Sequence, residues 1–487
     1  MVGMGVRRGY LAVLCRGVVR PARLLAAALA VAMGAAVLAA CGGSGGGDTA
    51  STRTDTRRPS ATIGVWILED EPARVRAAKA DLARFTRATG IGVRMRALDE
   101  DDLAAAITSA RADRTLPDAL QLPLASVHAY AADGVIDTAA AGDVLDRLGD
   151  ETFSQTALSL VSRDGIPAAV PSDGWGELLI YRKDLFEKAG LEAPKTLQDV
   201  RVAAEKLNQG RTVGITLATA PGDGFTHETF EHVALAMGCQ LVNDDGDVQF
   251  TSNQCVEALR YYGDLAKNFS VEGNQDVDST RGTYFAGRAA MMFWSPFLLD
   301  GMAGLRDDTR PSCAECKEDP AFLAKNSGLV GPLSSNGGKP SQFGSVSTFN
   351  ISVDANKEAS QAFVEFMMNE GYTRWLGLSP QGKYPVRLGD QEDGDKFANA
   401  WERLDSGVDR KAPLTDFYSE ESIASLKEGV QSFQRWGFAQ GQGALIGALR
   451  GEQPIAKAVA DVIGGKDPAQ AAKDVQAQVE EIQAGLQ

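Results

Sequence analysis

Short apolar runs alternate with amphipathic stretches at the start of the folded chain. Runs at Ile63–Leu68, Val93–Arg96 and Pro117–Leu122 have the length of β-strands. Between them, Val75–Thr89 and Asp102–Ala112 carry apolar residues near helical spacing. Strands that alternate with helices predict a mainly parallel sheet with crossover helices. Ligands bind such sheets at the carboxyl ends of the strands, so the residues after each run are candidates for a site.

A second pattern begins with the apolar run Ile166–Val170, which Pro171 interrupts. A polar turn is predicted at Ser172–Gly174, and a second strand at Leu178–Tyr181. Because proline breaks a central strand and glycine permits unusual backbone angles, this stretch predicts a crossing between two folded bodies. Trp175 lies at the crossing, where its ring either faces a cleft between the bodies or packs in a core.

The apolar pattern continues through the second half of the chain. It predicts a helix at Thr196–Asn208, strands at Val213–Leu217 and Met291–Phe293, and a helix at Glu358–Asn369. A helical tail is predicted after Trp436. The chain therefore continues to mix helices and strands, as the α/β class requires.

The N-terminal segment predicts export. Five arginines precede or flank the apolar run Leu24–Leu38, which ends in Leu-Ala-Ala-Cys at Cys41. A transmembrane span is the alternative, but the run is short and ends in small residues. The four residues resemble the lipobox of bacterial lipoproteins, which implies cleavage before Cys41 and a diacylglycerol on its sulfur. We expect a signal peptide at 1–40 and a tether rich in Gly, Ser and Thr at 41–60.

The charge balance excludes one class of partner. The chain has a net charge of -15, and without the five arginines of residues 1–40 the remainder has 44 basic and 64 acidic residues. Nucleic-acid binding needs a basic face that displaces counterions, so this acidic chain is not expected to bind nucleic acid. A small neutral or cationic ligand fits the balance.

Several longer motifs resemble one family. The segment YRKDLFEKAGLEAPKTLQD follows the predicted crossing, and GCQLVNDDGDVQFTSNQCVEAL and YFAGRAAMMFW follow later. In order and spacing they are similar to extracellular solute-binding proteins of family 1. These are the carbohydrate-type receptors of bacterial ABC importers, related to maltose-binding protein. The resemblance covers about residues 61–487.

The resemblance implies a fold and a function. We expect two α/β lobes of the periplasmic-binding-protein-like type II class, joined by two or three hinge crossings. Lobe 1 would comprise 61–172 and 343–390, and lobe 2 would comprise 173–342 and 391–487. The implied activity is binding of a sugar or oligosaccharide between the lobes, without catalysis, metal or cofactor. The implied partners are a membrane permease and its ATPase subunits. We expect the protein to be a monomer that a lipid anchor holds at the extracellular face of the membrane.

The resemblance and the local chemistry also select the ligand-binding candidates. Aromatic rings stack on sugar faces, and charged side chains bond sugar hydroxyls. The candidates are Glu69, Asp70, Asp173, Trp175, Trp294, Phe343, Arg387 and Trp436. The other three tryptophans are expected to serve packing alone: Trp66, Trp375 and Trp401.

The cysteines of the folded part allow more than one interpretation. They are Cys239, Cys255, Cys313 and Cys316. A lone CxxC is compatible with redox chemistry or half of a zinc site, but the chain has three histidines and none is spaced as a paired ligand. Because exported proteins meet oxidising conditions, we expect two structural disulfides, 239–255 and 313–316. The acidic turn at 243–247 lacks the glutamate that closes an EF-hand loop, so no metal is expected there.

Two other functions stay open. An exported glycoside-active enzyme would need two carboxylates placed across a glycosidic bond, which a single sequence does not locate. A receptor for a non-sugar solute, such as a peptide, a polyamine or a polyol phosphate, would share the fold. The sequence contains no GxxxxGK[ST] motif, so the chain itself is not expected to hydrolyse ATP through a Walker-type loop.

Overall fold

The computed structural model describes residues 61–335 and 337–486. The predicted signal peptide, the lipidation of Cys41 and the tether lie outside these residues. Within them, every helix is too short or too polar to cross a bilayer.

Strands and helices alternate along the described chain. The strands are β1 Ala61–Leu68, β2 Ile91–Leu98, β3 Ala119–Pro123, β4 Ser162–Arg163, β5 Ile166–Pro167, β6 Val170–Gly176, β7 Leu178–Arg182, β8 Met291–Trp294, β9 Ser327–Val330, β10 Gly344–Ile351, β11 Tyr384–Pro385, β12 Asp405–Ser406 and β13 Ala412–Pro413. The helices are α1 Pro72–Thr89, α2 Leu103–Asp113, α3 Leu124–Ala132, α4 Thr138–Leu148, α5 Gln155–Val161, α6 Lys183–Ala189, α7 Leu197–Leu207, α8 Gly224–Ala236, α9 Asn253–Phe269, α10 Val277–Phe285, α11 Leu299–Met302, α12 Phe322–Lys325, α13 Lys357–Met368, α14 Tyr372–Leu376, α15 Lys396–Trp401, α16 Glu420–Ser432, α17 Gly443–Glu452, α18 Pro454–Ile463 and α19 Pro468–Gly485. The short 3-10 turns are Asp150–Thr152, Pro296–Leu298, Glu315–Lys317, Pro380–Gly382 and Leu414–Asp416.

Two sheets form the centres of two lobes. The first sheet has the strand order β11-β6-β10-β3-β1-β2, in which β1 runs parallel to β2 and β3. The second has the order β8-β7-β9, and its strands are antiparallel. We call the layers around them lobe 1 and lobe 2. The expected two-lobed α/β class is confirmed, while the residue boundaries given above for the lobes stay a prediction.

Lobe 1 is built from segments far apart in sequence. Strand β10 inserts between β3 and β6 and runs antiparallel to both. Helix α13 then packs beside α1, where Phe85 contacts Phe363 with ring centroids 5.5 Å apart. Phe85 and Phe363 are both fully buried. The first lobe therefore closes its core only after the chain has returned from lobe 2.

The predicted turn at Ser172–Gly174 is wrong, because β6 continues from Val170 to Gly176. Its partner β10 has a register shift at which Thr348 pairs with Pro171 and Ser347 pairs with Asp173. On the other side, β11 pairs only with residues 173 and 174 of β6. Pro171 thus lies at the register shift and beside β10 alone, and bulges are among the places in a sheet where proline is tolerated.

The predicted strand at Val213–Leu217 is also wrong. Within the described residues, this segment makes only two isolated bridges, from Val213 to Ala289 and from Thr216 to Met292. Gly214 lies against α7, where an added Cβ would be 2.0 Å from the carbonyl oxygen of Ala204. Close contact with a helix backbone holds this segment in place of a continuous ladder.

The two crossings between the lobes are hydrogen-bonded to each other. The N–H of Glu177, between β6 and β7, donates to the carbonyl of Phe343, just before β10, at 2.8 Å. The side-chain amide of Gln342 donates to the carbonyl of Glu177 at 2.6 Å. A third passage joins them, because the N–H of Gln434 donates to the carbonyl of Gln342 at 2.7 Å. We call these bonds the hinge knot.

Glycines make room for the Gln342 side chain in the hinge knot. An added Cβ would lie 2.6 Å from this side chain at Gly176, 3.0 Å at Gly331 and 2.9 Å at Gly429. The three glycines come from a crossing, from the segment after β9 and from α16. Their lack of a side chain makes room for one buried amide where three remote segments meet.

Glu177 brings a buried carboxyl group to the hinge knot. Its side chain is buried, and its Oε1 has no hydrogen-bond partner among the described residues. Burial, with a smaller contribution from Glu228, raises the pKa of Glu177 well above its ordinary value. His232 is also buried; its Nδ1 accepts from the N–H of Phe343 at 3.2 Å, and burial lowers its pKa to about 3. His232 is therefore neutral near pH 7.

Both expected disulfides are confirmed. Cys239 and Cys255 join the segment after α8 to helix α9, with a sequence separation of 16. Cys313 and Cys316 close a loop with a separation of 3. All four cysteines are buried.

Replacing both Cys239 and Cys255 by serine is expected to lower the free energy of unfolding by about 3 kcal/mol in the chain-entropy model. The disulfide between Cys313 and Cys316 closes a shorter loop. Replacing both of these cysteines by serine should therefore lower the free energy of unfolding by about 2 kcal/mol on the same scale. Denaturant unfolding of the two variants, compared with the unmodified protein, measures the difference. A larger loss from the shorter loop would contradict the entropic account.

Glu177→Gln is expected to stabilise the protein increasingly as pH rises. The pKa of Glu177 is raised in the folded state, so its favourable contribution is present below the unfolded pKa of about 4.3 and is lost as pH rises toward the folded pKa. Gln cannot ionise and removes this loss, and each unit of pKa elevation corresponds to about 1.4 kcal/mol. Unfolding curves from pH 5 to pH 8 measure the trend, and the exposed Glu187→Gln on α6 is the control. A pH-independent difference would contradict the prediction.

Candidate ligand-binding cleft

A cavity of about 320 Å³ lies between the lobes, and we call it the inner chamber. It is lined by Leu68, Glu69, Arg74, Glu100, Gln121, Pro123, Ala125, Trp175, Glu228, Phe297, Ser345, Val346, Ser347, Lys383, Arg435 and Arg450. The parallel strands of lobe 1 place their carboxyl ends here, because Glu69 follows β1, Glu100 follows β2 and Pro123 ends β3. This is the edge at which open α/β sheets bind ligands.

Glu69 offers a buried carboxylate to the inner chamber. Its side chain is 8% exposed, and its Oε1 lies 3.8 Å from Nη1 of Arg74. Burial raises the pKa of Glu69, although Lys383 and Arg74 nearby lower it. A 3.8 Å separation is longer than a charge-assisted hydrogen bond, so the carboxylate can still accept from a ligand.

Arg74 reaches across to lobe 2. Its Nη2 lies 3.5 Å from Oδ2 of Asp300 on α11, and its Nε has no hydrogen-bond partner within the described ranges. Desolvation raises the pKa of Asp300, against the lowering effect of Arg306 and Arg74. A guanidinium with free donor capacity in a nearly buried position can bond hydroxyl or carboxylate oxygens.

Trp175 supplies the aromatic face of the inner chamber. It is partly exposed on β6, and its ring lies 6.3 Å from that of Phe297 and 5.7 Å from that of Phe343. Phe343 itself is fully buried and lies behind Trp175 instead of facing the cavity. The packed ring of Phe343 therefore holds Trp175 in place, while Trp175 and Phe297 present apolar surface to a ligand.

Lys383 is held at the chamber by a buried acid. Its Nζ lies 3.4 Å from Oδ1 of Asp173 and 4.7 Å from the ring centroid of Trp375. Trp375 in turn donates its Nε1–H to Oδ2 of Asp173 at 2.9 Å. Asp173, a predicted ligand contact, thus lies one layer behind the cavity and positions the cation that lines it.

Arg435 is held in the same way on the lobe 2 side. Its Nε donates to Oε1 of the buried Glu231 at 3.2 Å, and its guanidinium lies 4.3 Å from the ring centroid of Phe343. Burial would raise the pKa of Glu231, but Arg435 and His227 outweigh burial and hold this pKa below its ordinary value. Glu231 is therefore ionised and fixes the arginine.

Gln121 adds an oriented amide. Its Oε1 accepts from the N–H of Leu68 at 2.9 Å, which leaves the amide nitrogen as the group on offer to the inner chamber. Ser345 and Ser347, on β10, line the same wall. The chamber thus combines two apolar rings with donors and acceptors of both charges.

Three of the predicted contacts do not line the inner chamber. Trp294 is 7% exposed and packs on Phe225 at 4.5 Å between ring centroids. Trp436 is fully buried and donates its Nε1–H to the carbonyl of Cys239 at 2.8 Å. Asp70 is exposed at the start of the segment before α1 and does not line the inner chamber. The site proposed below leaves these three residues out.

Arg387 is likewise committed to lobe 1. Its guanidinium donates to the carbonyls of Met368 at 2.7 Å and Leu148 at 3.0 Å, and to Oγ1 of Thr152 at 3.1 Å. These bonds tie the segment after β11 to α4 and α13. A buried arginine with this many protein acceptors has little donor capacity left for a ligand, so it is also left out.

Sequence reasoning missed Arg74, Lys383, Arg435 and the hinge knot. Each cation belongs to a segment without a distinctive motif, and only the folded chain brings these segments together. Trp175 and Glu69, which the sequence selects as ligand contacts, do line the inner chamber, and their contact with a ligand stays a prediction. The sequence selects them because the apolar pattern marks a strand end before Glu69 and a crossing at Trp175.

Comparison with known proteins agrees with this architecture. The family profile described as bacterial extracellular solute-binding protein matches residues 82–404. YcjN of Escherichia coli K12, named as an ABC transporter periplasmic-binding protein, is 28% identical over 319 residues, covering 63% of this chain and 68% of that protein.

Two solved structures show the same fold. The sugar-binding protein MalE of Xanthomonas citri superimposes with a TM-score of 0.67 at 17% identity, over 87% of this chain and 98% of that one. A sugar transporter protein of Arthrobacter chlorophenolicus with bound laminaribiose gives a TM-score of 0.66 at 18% identity, over 86% and 99%. Together with the profile match, these similarities show that the chain belongs to the bacterial extracellular solute-binding proteins, the substrate-capturing components of ABC transporters.

Proposed function

We propose that this protein captures a sugar or oligosaccharide in the inner chamber and delivers it to the permease of an ABC importer. The observation that carries the proposal is the pairing of the Trp175 ring with the buried Glu69 and the loosely paired Arg74 in one interlobe cavity. A sugar presents apolar ring faces bordered by hydroxyl groups, which is the chemistry that this combination recognises.

The charges of the inner chamber support a neutral ligand. Its lining includes four cations and three carboxylates, so both signs are present in one small volume. Lys383 and Arg435 are compensated by buried acids behind them. A ligand without net charge can form hydrogen bonds to these groups and leave their charges compensated. A polyamine or a phosphate would add a charge that has no partner in the chamber.

The proposed partners follow from the family. The solved neighbour from Arthrobacter chlorophenolicus holds laminaribiose, and a carbohydrate is the ligand we infer for this chain. A permease and its ATPase subunits would receive the sugar-loaded form. The family is extracellular, and the lipobox at Cys41 supports attachment of the protein to the outer face of the membrane. Binding without turnover is the activity we infer.

Trp175→Leu is expected to weaken sugar binding by about 1–3 kcal/mol, or roughly 5- to 150-fold in Kd, because the ligand loses a stacking face. The purified full-length protein is first screened by thermal shift against monosaccharides, disaccharides, polyols, amino acids and polyamines, since a ligand of the native state raises the midpoint. Calorimetry then gives the Kd of each variant for the sugar found.

The same change at Trp294 is the matched control. Trp294→Leu removes an equal ring from a packed position outside the inner chamber, so it should lower stability while the affinity of the folded protein stays unchanged. A loss of affinity at Trp294 but not at Trp175 would contradict the proposed site. A thermal shift with a polyamine or an amino acid, and with no carbohydrate, would overturn the sugar. Release of smaller sugars during the titration would indicate an enzyme.

A further inference from the structure

The inner chamber borders a second cavity between the lobes. This outer groove has a volume of about 770 Å³, against about 320 Å³ for the inner chamber. The residues that line both cavities are Glu100, Pro123, Ala125 and Arg450. Pro123 and Ala125 lie where β3 passes directly into α3, so their positions are set by the backbone. Glu100 and Arg450 are the long side chains of this dividing wall.

Arg450 joins two carboxylates from opposite lobes. Its Nη1 lies 3.1 Å from Oε1 of Glu100, which follows β2 in lobe 1. Its Nη2 lies 3.7 Å from Oε1 of Glu228, on α8. Helix α8 belongs to lobe 2, because its residue Phe225 packs on Trp294 of β8. We call Glu100, Glu228 and Arg450 the gate triad.

Helix α17 holds Arg450 over the wall by a close contact with α3. A Cβ added at Gly447 would lie 2.5 Å from the carbonyl oxygen of Ala125, and one added at Gly443 would lie 2.4 Å from Cδ2 of His128. Arg450 follows Gly447 by three residues, so its Cα is fixed near the wall. The parts of the wall that can move are therefore the side chains of Arg450 and Glu100.

The gate triad is accessible to water. The side chains of Arg450, Glu100 and Glu228 are 40%, 49% and 29% exposed. Ion pairs with such exposure contribute little to stability and open readily, whereas the hinge knot is buried. The planar guanidinium can span two carboxylates at once, and a shorter or uncharged side chain at the same position cannot.

We propose that the gate triad sets the length of the ligand that the protein accepts. With the triad formed, the inner chamber ends at Arg450 and admits a short sugar. With Arg450 displaced, the inner chamber continues into the outer groove and a longer chain can occupy both. The selection of ligand length rests on the proposed sugar-binding function. The wall between the two cavities is a feature of the structure and does not depend on that function.

Access to the inner chamber can be measured without a ligand. Trp175 lines the inner chamber and is partly exposed, while the other five tryptophans are at most 9% exposed. Acrylamide quenching of tryptophan fluorescence therefore reports mainly on Trp175. Arg450→Met keeps most of the aliphatic stem and removes the charge, so it should increase the quenching constant, and a Trp175→Phe background should abolish the increase.

The length preference is tested with glucose and with gluco-oligosaccharides of two to six units, in α- and β-linked series. Arg450→Met should improve the Kd of the longer chains relative to the shortest bound sugar by on the order of tenfold, which is about 1.4 kcal/mol. The control is Arg260→Met, which removes an exposed ion pair with Glu257 on α9, away from the inner chamber lining. The control should change neither the quenching constant nor the order of affinities.

Separate outcomes decide the two proposals. Equal quenching in Arg450→Met and the unmodified protein would overturn the gate, whatever the ligand. Increased quenching with an affinity change that is the same for every chain length would overturn length selection, because Arg450 would then act as a general contact. If the unmodified protein binds no carbohydrate, the proposed sugar function fails, and length selection for sugars fails with it, while the quenching result still decides whether Arg450 closes the chamber.

Discussion

The hinge knot is the constraint on which the two-lobed arrangement depends. Within a few residues, Glu177, Gln342 and Gln434 bring three passages of the chain into mutual hydrogen bonding, with backbone and amide donors at 2.6–2.8 Å. Buried backbone groups that lose their partners cost free energy, so these passages cannot separate without disrupting the fold. The knot thereby determines which edge of the lobe 1 sheet faces lobe 2, and the inner chamber forms at that edge.

In the site that results, two cations that line the inner chamber are held by acidic side chains that lie behind them. Asp173 positions Lys383, and Glu231 positions Arg435, while both acids are themselves buried. A ligand then meets side chains that are already placed, and less conformational entropy is lost when it binds. The same principle applies to Trp175, whose ring is supported by a buried neighbour. Residues that never touch the ligand thus account for much of the geometry that it meets.

The first three strands and the first two helices of lobe 1 could be predicted from the sequence because apolar periodicity reports burial directly. Glu69 and Trp175 could be predicted because they follow a strand end and a crossing. The positions of Trp436 and Arg387, in a core or in a cleft, could not be predicted. Tryptophan and arginine occur in both places, and the residue type alone does not distinguish them. Pro171 does not interrupt the strand as the sequence predicts, because it lies at a register shift between β6 and β10, which local sequence does not contain.

The mouth of the cleft differs physically from the hinge. Arg450, with a side chain that is 40% exposed, pairs there with Glu100 at 3.1 Å and with Glu228 at 3.7 Å. Exposed pairs of this kind contribute little alone, so opening them costs little while the buried hinge knot stays intact. A ligand can shift an equilibrium between two forms only by its differential affinity for them. A weakly paired mouth therefore lets a modest number of ligand contacts decide whether the lobes stay closed.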